Sequence, residues 1–295
     1  MQTAKTKRKR FRDLVNGDGI VIAPGCGDAL GARLIEKAGF DVSYMSGYAV
    51  EATHGTSDVG LLTLTEMSAR AAQICEATNL PLIADADTGF GNAINVVRMV
   101  REYERAGVAA IQLEDQSLPK KCGSMPGKGV ISTEEMIGKI KAVLDTREDE
   151  NFQLIARTDI CAFEGINAAN DRLAAYSEAG ADMVLCQGPY TVEEVRDFVG
   201  KARKPVLYLN SESFTMPMMP ADQLERIGVK VVVLPLALTL SAAHAIERVL
   251  TVIRETNGDT RDYSRDWMTS WADCNALTGF DEIQRMEREY GAKAR

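Results

Sequence analysis

The chain has 295 residues, 45% of them hydrophobic and 26% charged, with a formal net charge of -8. That length suits one large α/β domain or two modest ones, with ample apolar material for a buried core. The acidic balance argues against nucleic acid as a principal partner, and no apolar run is long enough to span a bilayer, so no membrane partner is expected either.

Six cysteines (Cys26, Cys75, Cys122, Cys161, Cys186 and Cys274) include no C-x-x-C pair. Zinc-ligand spacing is absent, and a disulfide framework does not suit a chain of this length. Reduced thiols in a cytoplasmic protein are therefore expected. The basic start at residues 5–10 has no apolar signal-peptide core behind it and reads as a solvated helix start or a partly disordered arm.

Short apolar runs at 19–24, 42–46, 82–85, 109–114, 154–157, 183–186, 206–210 and 229–234 predict eight strands. They are continuous rather than alternating, as in parallel sheets buried on both faces. Helical patterns such as 95–106 and 167–179 lie between them, and several end in an Ala-Gly pair (Ala38-Gly39, Ala106-Gly107, Ala179-Gly180). Glycine there takes the left-handed conformation that stops a helix before the next strand. Eight β-then-α units predict an α/β fold, a (β/α)8 TIM-type barrel over 1–255 with an N-terminal helical arm. A C-terminal helical extension follows over 256–295. It carries Trp267, Trp271 and Phe280 on no predicted strand, and is expected to pack on a neighbouring subunit or on its own barrel.

Barrel enzymes gather their chemistry at the carboxyl ends of the strands. Those positions hold Ser46, Gly47 and Tyr48, then Asp58 in the loop beyond, Asp85 and Asp87, Glu114 and Asp115, Arg157, Cys186 and Gln187, and finally Asn210, Ser211 and Ser213. Asp85, Asp87 and Glu114 have no basic partner close in sequence, so they repel one another unless a cation neutralises them. Hard oxygen ligands without clustered His or Cys favour Mg2+, with Mn2+ as a substitute. The alternative for any one of these acids is a helix cap or a lysine partner. The glycine-rich turn at 88–92 lacks a nucleotide-binding pattern and reads as close backbone packing beside the metal.

Arg157 is placed to hold a substrate carboxylate in a bidentate fork or to pair with Glu114 or Asp159. Residues 116–130 combine prolines and glycines with Lys120, Lys121 and Lys128, and read as a mobile basic lid over an anionic substrate. Cys122 sits at the centre of that lid, where nearby positive charge is expected to stabilise its thiolate. Cys75 and Cys161 read as packing residues and His54 as loop structure. With two histidines in the chain, a Ser-His-Asp hydrolase is nearly excluded.

Taken together, Ser46-Gly47-Tyr48, Ala84 to Gly91, Leu113-Glu114-Asp115-Gln116, Pro119-Lys120-Lys121-Cys122-Gly123 and Ala156-Arg157-Thr158-Asp159 resemble the isocitrate lyase/phosphoenolpyruvate mutase superfamily, from about residue 10 to residue 255. The resemblance implies a Mg2+-dependent barrel enzyme that handles α-oxo-acid or enolate intermediates, and a homotetramer in which late helices are exchanged between subunits. The Lys-Lys-Cys-Gly lid resembles that of the carbon–carbon lyases of the 2-methylisocitrate and 2,3-dimethylmalate branch.

Two positions depart from the usual lyase pattern. Ser124 stands where a histidine is usual, and Gln187 where a glutamate is usual. A smaller or less acidic substrate than methylisocitrate is the consequence expected.

By this resemblance, Asp85, Asp87, Glu114 and Asp58 hold the metal. Ser46, Gly47, Tyr48 and Arg157 grip the 2-hydroxycarboxylate of a small di- or tricarboxylate, and Tyr48 is the candidate base. Cys122 protonates the departing enolate, while Gly123, Ser124, Gln187, Asn210, Ser211 and Ser213 surround the distal group. The alternatives are hydrolysis or decarboxylation of oxaloacetate, then phosphonopyruvate-type P–C chemistry, then a non-catalytic dicarboxylate-binding protein.

Overall fold

A computed structural model describes residues 2–213 and 215–291; Met1, Phe214 and residues 292–295 lie outside the described part. Eight strands alternate with helices: Val21–Cys26 (β1), Ser43–Met45 (β2), Leu82–Asp85 (β3), Ala110–Glu114 (β4), Gln153–Thr158 (β5), Met183–Cys186 (β6), Leu207–Leu209 (β7) and Val231–Leu234 (β8). All pair in parallel in the order β6-β5-β4-β3-β2-β1-β8-β7. A bridge between Val184 and Val206 joins the two ends of that order, closing the sheet into the expected barrel.

The strands are buried on both faces, which is why their sequences run continuously apolar. Ser43, Asp85, Gln112, Glu114, Gln153, Arg157 and Thr158 are the polar exceptions within them, and all seven are buried. Around the barrel lie Ala4–Asn16 (α1), Ala29–Lys37 (α2), Gly47–Thr53 (α3), Leu64–Ala77 (α4), Ala93–Arg105 (α5), Thr133–Thr146 (α6), Cys161–Glu178 (α7), Val192–Lys201 (α8) and Ala221–Ile227 (α9). Polar caps start several of them at the strand-to-helix turns. The Ser46 hydroxyl accepts from Ala49 N–H, Asn92 from Ile94 and Asn95, and Thr191 from Glu194.

The basic start is the helix start expected, with Lys5 and Lys9 exposed, but it is not solvated throughout. It forms α1, whose Lys7 and Arg8 are buried. Lys7 Nζ donates to the Cys75 and Thr78 carbonyls (2.6 and 2.5 Å), satisfying groups left open at the end of α4. The Arg8 guanidinium donates to the Glu104 and Val108 carbonyls and lies 5.6 Å from the Phe152 ring centroid. Long aliphatic stems let both residues bury while their heads find carbonyl partners.

Residues up to Thr239 form one compact unit and those from Leu240 a second. The second holds most of Ala237–Glu255 (α10), then Arg261–Trp267 (α11), Trp271–Leu277 (α12) and Phe280–Glu289 (α13). None of α10 is buried, although Leu240, Ile246, Leu250 and Ile253 lie along it. Trp267 and Trp271 are exposed, and the Arg248 guanidinium stands 6.0 Å from a Trp267 ring centroid. Among the described residues, no helix is long and apolar enough to cross a membrane.

Candidate active site

The carboxyl ends of β2 to β7 bring the expected acids and Arg157 together. In the Asp85-Ala86-Asp87 turn, Asp87 N–H donates to Asp85 Oδ1 (3.1 Å), and Gly47 N–H donates to Asp85 Oδ2 (3.3 Å). Asp87 sits in left-handed backbone at φ 47°, a conformation that a non-glycine residue adopts only when its surroundings fix it. Its carbonyl accepts from Glu114 N–H (2.9 Å), which ties the end of β3 to the end of β4. The glycine-rich turn beyond serves close packing: a Cβ on Gly89 would fall 2.5 Å from Val96 Cγ2.

The acids are not without basic partners, contrary to the reading from local sequence. Lys120, supplied by the lid, places Nζ 2.5 Å from Asp58 Oδ1 and 2.6 Å from Asp87 Oδ1. Burial works against its charge, but Asp87 and Asp58 outweigh that and hold it firmly protonated. Arg157 is clamped as well. Its Nε and Nη2 donate to Asp159 (2.8 and 3.1 Å), and its Nη1 lies 3.1 Å from Glu114 Oε2. Both structural pairings foreseen for Arg157 are made, and two of its five N–H groups remain for a ligand.

Five carboxylates (Asp58, Asp85, Asp87, Glu114 and Asp159) thus face three cations (Lys120, Lys128 and Arg157). The imbalance shows in proton affinity. Burial, reinforced by Asp87, raises Asp85 to about 6, and burial raises Glu114 well above the usual carboxylate range despite Arg157. Asp159 goes the other way, because Arg157 and Lys128 overcome its burial. Two surplus carboxylates match the charge of one divalent cation.

Glu114 Oε1 is buried without a hydrogen-bond donor. Asp87 Oδ1 is likewise without one, because Lys120 Nζ is near but lies off the hydrogen-bonding direction. Among the described residues, no three His, Cys, Asp or Glu side chains converge to direct ligand distance. The two unpartnered carboxylate oxygens are hard donors of the kind that suits a small hard divalent ion.

The lid leaves the barrel between Gln116 and Val130, which form an antiparallel bridge across its neck. Cys122 N–H donates to the Asp58 carbonyl (2.9 Å). The expectation of a stabilised thiolate does not hold. Burial, then Asp58, push the Cys122 thiol above its ordinary value of 9.0. Lys120 is neutralised by its two aspartates, and the Lys121 ammonium reaches only the Pro126 carbonyl at 3.4 Å. The shift favours the thiol over the thiolate.

Gly123, next along, packs directly on the site: a Cβ there would lie 2.6 Å from both Arg157 Nη2 and Gln187 Cδ. Gln187 is buried, and its Nε2 stands 3.7 Å from Met216 Sδ. Ser124, Ser211 and Ser213 are brought together in one hydroxyl chain. Ser124 Oγ lies 2.8 Å from Ser213 Oγ and 3.1 Å from Thr215 Oγ1, and Ser213 Oγ lies 3.0 Å from Ser211 Oγ. Thr215 was not foreseen as a member.

Asn210 is engaged differently from the expectation. Both ends of its amide bind the Met219 backbone at 2.9 Å, closing the loop after β7. Ser46 caps α3, Gly47 serves Asp85, and Tyr48 is half-buried in the first turn of α3. His54 ends α3, with Nδ1 3.0 Å from the Val50 carbonyl.

Sequence reasoning placed Lys120 and Lys128 in the lid without their acidic partners, and named Asp115 at a strand end without its role. Asp115 is fully buried and accepts from Thr158, Tyr176 and Arg172 and from Asp159 N–H, fixing the end of β5 from behind. A strand-end acid followed by a second acid was the one available signal for it.

Residues 11–254 match the phosphoenolpyruvate phosphomutase family. The chain is 44% identical over 282 residues to 2,3-dimethylmalate lyase of Eubacterium barkeri, covering 95% of this chain and 97% of that protein. It is 38% identical to 2-methylisocitrate lyase of Aeropyrum pernix, covering 96% of this chain and 91% of that protein. Among solved structures, oxaloacetate acetylhydrolase with the inhibitor 3,3-difluorooxalacetate superposes with a TM-score of 0.93 at 31% identity, covering 100% of both chains. Phosphonopyruvate hydrolase in complex with oxalate and Mg2+ superposes at 0.88 with 30% identity, covering 98% of this chain and 99% of that one. With 44% identity over nearly the whole of a lyase and a family match over residues 11–254, the chain belongs to the phosphoenolpyruvate phosphomutase family, within the PEP mutase/isocitrate lyase superfamily of enzymes.

Proposed function

We propose that this enzyme is a Mg2+-dependent carbon–carbon lyase that cleaves a 2-hydroxy dicarboxylate of the alkylmalate or methylisocitrate type to an α-oxo acid and a carboxylate. The observation that carries the reading is the placement of Cys122 in a lid whose next residue packs on Arg157 and Gln187, where burial pushes the thiol up toward its protonated form. A cleavage that leaves a carboxylate enolate needs a proton delivered at carbon, and a neutral thiol beside the carboxylate-binding arginine supplies one.

Asp85, Asp87, Glu114 and Asp58 would hold the ion, partly through water. When bound, Mg2+ lowers the proton affinity of the substrate hydroxyl and neutralises the surplus negative charge of the site. The two uncommitted N–H groups of Arg157 grip the 2-hydroxycarboxylate, with Ser46, Gly47 and Tyr48 bounding the same end of the pocket. Tyr48 is the candidate base, and it takes the hydroxyl proton as the phenolate, leaving the step as the neutral phenol. The C2–C3 bond then breaks, its electron pair passing to C3 as the hydroxyl carbon becomes a carbonyl. Cys122 gives its proton to C3, completing the carboxylate product. Gln187 and the hydroxyls of Ser124, Ser211 and Ser213 face the distal group, while Asn210 shapes that wall through its hold on Met219.

The described part of this wall is a chain of neutral hydroxyls from Ser124, Ser211, Ser213 and Thr215, which suits a small or alkyl distal group better than a third carboxylate. Cys122→Ser is expected to lower kcat by about 10²–10⁴-fold while Mg2+ binding is kept. Wild-type turnover in that variant would remove the assignment. Oxaloacetate hydrolysis is the second reading, favoured by the close superposition on oxaloacetate acetylhydrolase. Oxalate as product would establish it, whereas pyruvate or glyoxylate from an alkylmalate would establish cleavage.

A further inference from the structure

Lys128 lies in the lid, six positions after Cys122, and its side chain is only 5% exposed. Its ammonium donates in two directions: to the carbonyl of Gly123, adjacent to Cys122, and to Asp159 Oδ1 at 3.0 Å. Asp159 is fully buried and is the residue that receives the Nε/Nη2 fork of Arg157.

A second tether reaches the other side of the cysteine and ends on the same oxygen. Gln116 Oε1 accepts from Lys121 N–H (3.0 Å), and its Nε2 donates to the Lys121 carbonyl (2.9 Å) and to Asp159 Oδ1 (3.2 Å). The backbone on both flanks of Cys122 is thus bound to groups that share one carboxylate with Arg157.

We propose that Lys128 is a positioning residue that couples the two halves of the site, fixing the Cys122 segment of the lid to the Asp159–Arg157 clamp. The inference rests on the reading of Cys122 as the acid that protonates the enolate. Without the ammonium, the Gly123 carbonyl loses its donor and Asp159 loses one of its two cations, while the direct contact of Arg157 with Asp159 remains. The lid loosens and the grip on the carboxylate stays. An ångström of misplacement at a proton-transfer centre is enough to lower turnover by about 10²-fold.

The test compares wild type with Lys128→Met, Lys128→Arg and Lys201→Met, the last removing a surface lysine paired with Asp197. Amide hydrogen exchange is followed across 116–130 and across the barrel strands with Mg2+ and oxalate present. Turnover is measured on whichever alkylmalate or oxo-acid the wild type accepts. Lys128→Met is expected to exchange about 10-fold faster in the lid alone, with strand protection unchanged. Its kcat should fall by about 10²-fold with KM altered by less than about 3-fold. Lys128→Arg, which keeps two donors on one cation, should restore most of both, and Lys201→Met should behave as wild type.

Unchanged lid exchange in Lys128→Met overturns the proposal, as does equal loss of protection in the strands, which marks a general stability role. A large rise in KM with kcat intact also overturns it. If the wild type turns over none of the substrates, the lyase reading falls, and the exchange data still decide whether Lys128 tethers the lid.

Discussion

Cys122 shows how charge at a distance in sequence differs from charge at a distance in space. Its flanking lysines lie next to it in the chain, yet one is neutralised by Asp58 and Asp87 and the other points to a carbonyl at the lid surface. The thiol therefore has an acid's character, and the sign of its pH dependence follows. Its proton affinity is raised above 9.0, so the reactive proton is present through neutral pH and is lost only as pH rises beyond that value. Alkylation of Cys122 by iodoacetamide should be slow at pH 7 and accelerate only above about pH 9, with kcat falling over the same alkaline range. Fast alkylation at pH 7 would show a thiolate.

Asp85 titrates in the opposite part of the scale. Its folded value of about 6 lies above the ordinary 3.8, so its protonated form stabilises the ion-free protein at low pH. That contribution is lost as pH rises through about 6. A bound dication reverses the balance by favouring the ionised form. Mg2+ should accordingly raise the Tm by several degrees at pH 7.5 and by much less at pH 5. A shift equal at both values would separate Asp85 from the ion.

At the scale of elements, the strands and the lid differ in how far local sequence determines them. β3 and β6 fall where their apolar runs lie, because a strand buried on both faces must be apolar throughout. The acids at the strand ends were legible for the same reason, since polar groups that close a buried run have few structural uses. The lid's composition was legible, but its contacts were not. Lys120 bridges to Asp58 across 62 positions and Lys128 to Asp159 across 31, and no spacing rule encodes such pairings. The hold of Asn210 on the Met219 backbone was equally beyond local sequence, because an amide that binds backbone looks, in sequence, like one that binds a ligand.

The close approach at Gly123 gives the lid its own test. A methyl group there would meet Arg157 and Gln187 at 2.6 Å, so Gly123→Ala should hold the lid away from the site. The expected result is a loss of about 10²-fold in kcat with an unchanged Tm, read by steady-state kinetics and calorimetry. Normal turnover would show that the lid closes in some other way.

At the scale of the whole molecule, each of the two units leaves apolar surface uncovered. In the first, a groove of about 670 Å³ is lined by Leu14, Ile20, Ile22 and Phe40 among polar neighbours. In the second, α10 has Leu240, Ile246, Leu250 and Ile253 exposed, and the tryptophans of the following helices are exposed as well. Surfaces of this kind mark association. A homotetramer with exchanged C-terminal helices is the assembly we propose, and light scattering should give about four times the chain mass of 32.2 kDa. A monomer at micromolar concentration would contradict it.

The central claim is that the acid cluster, Arg157 and the Cys122 lid together break a carbon–carbon bond. The most direct measurement is release of pyruvate or glyoxylate from a panel of malate, alkylmalates, methylisocitrate and oxaloacetate, with Mg2+ and then with EDTA. Product from an alkylmalate that disappears with EDTA is the predicted result. Oxalate or pyruvate from oxaloacetate alone, or no product from any substrate, would contradict the account.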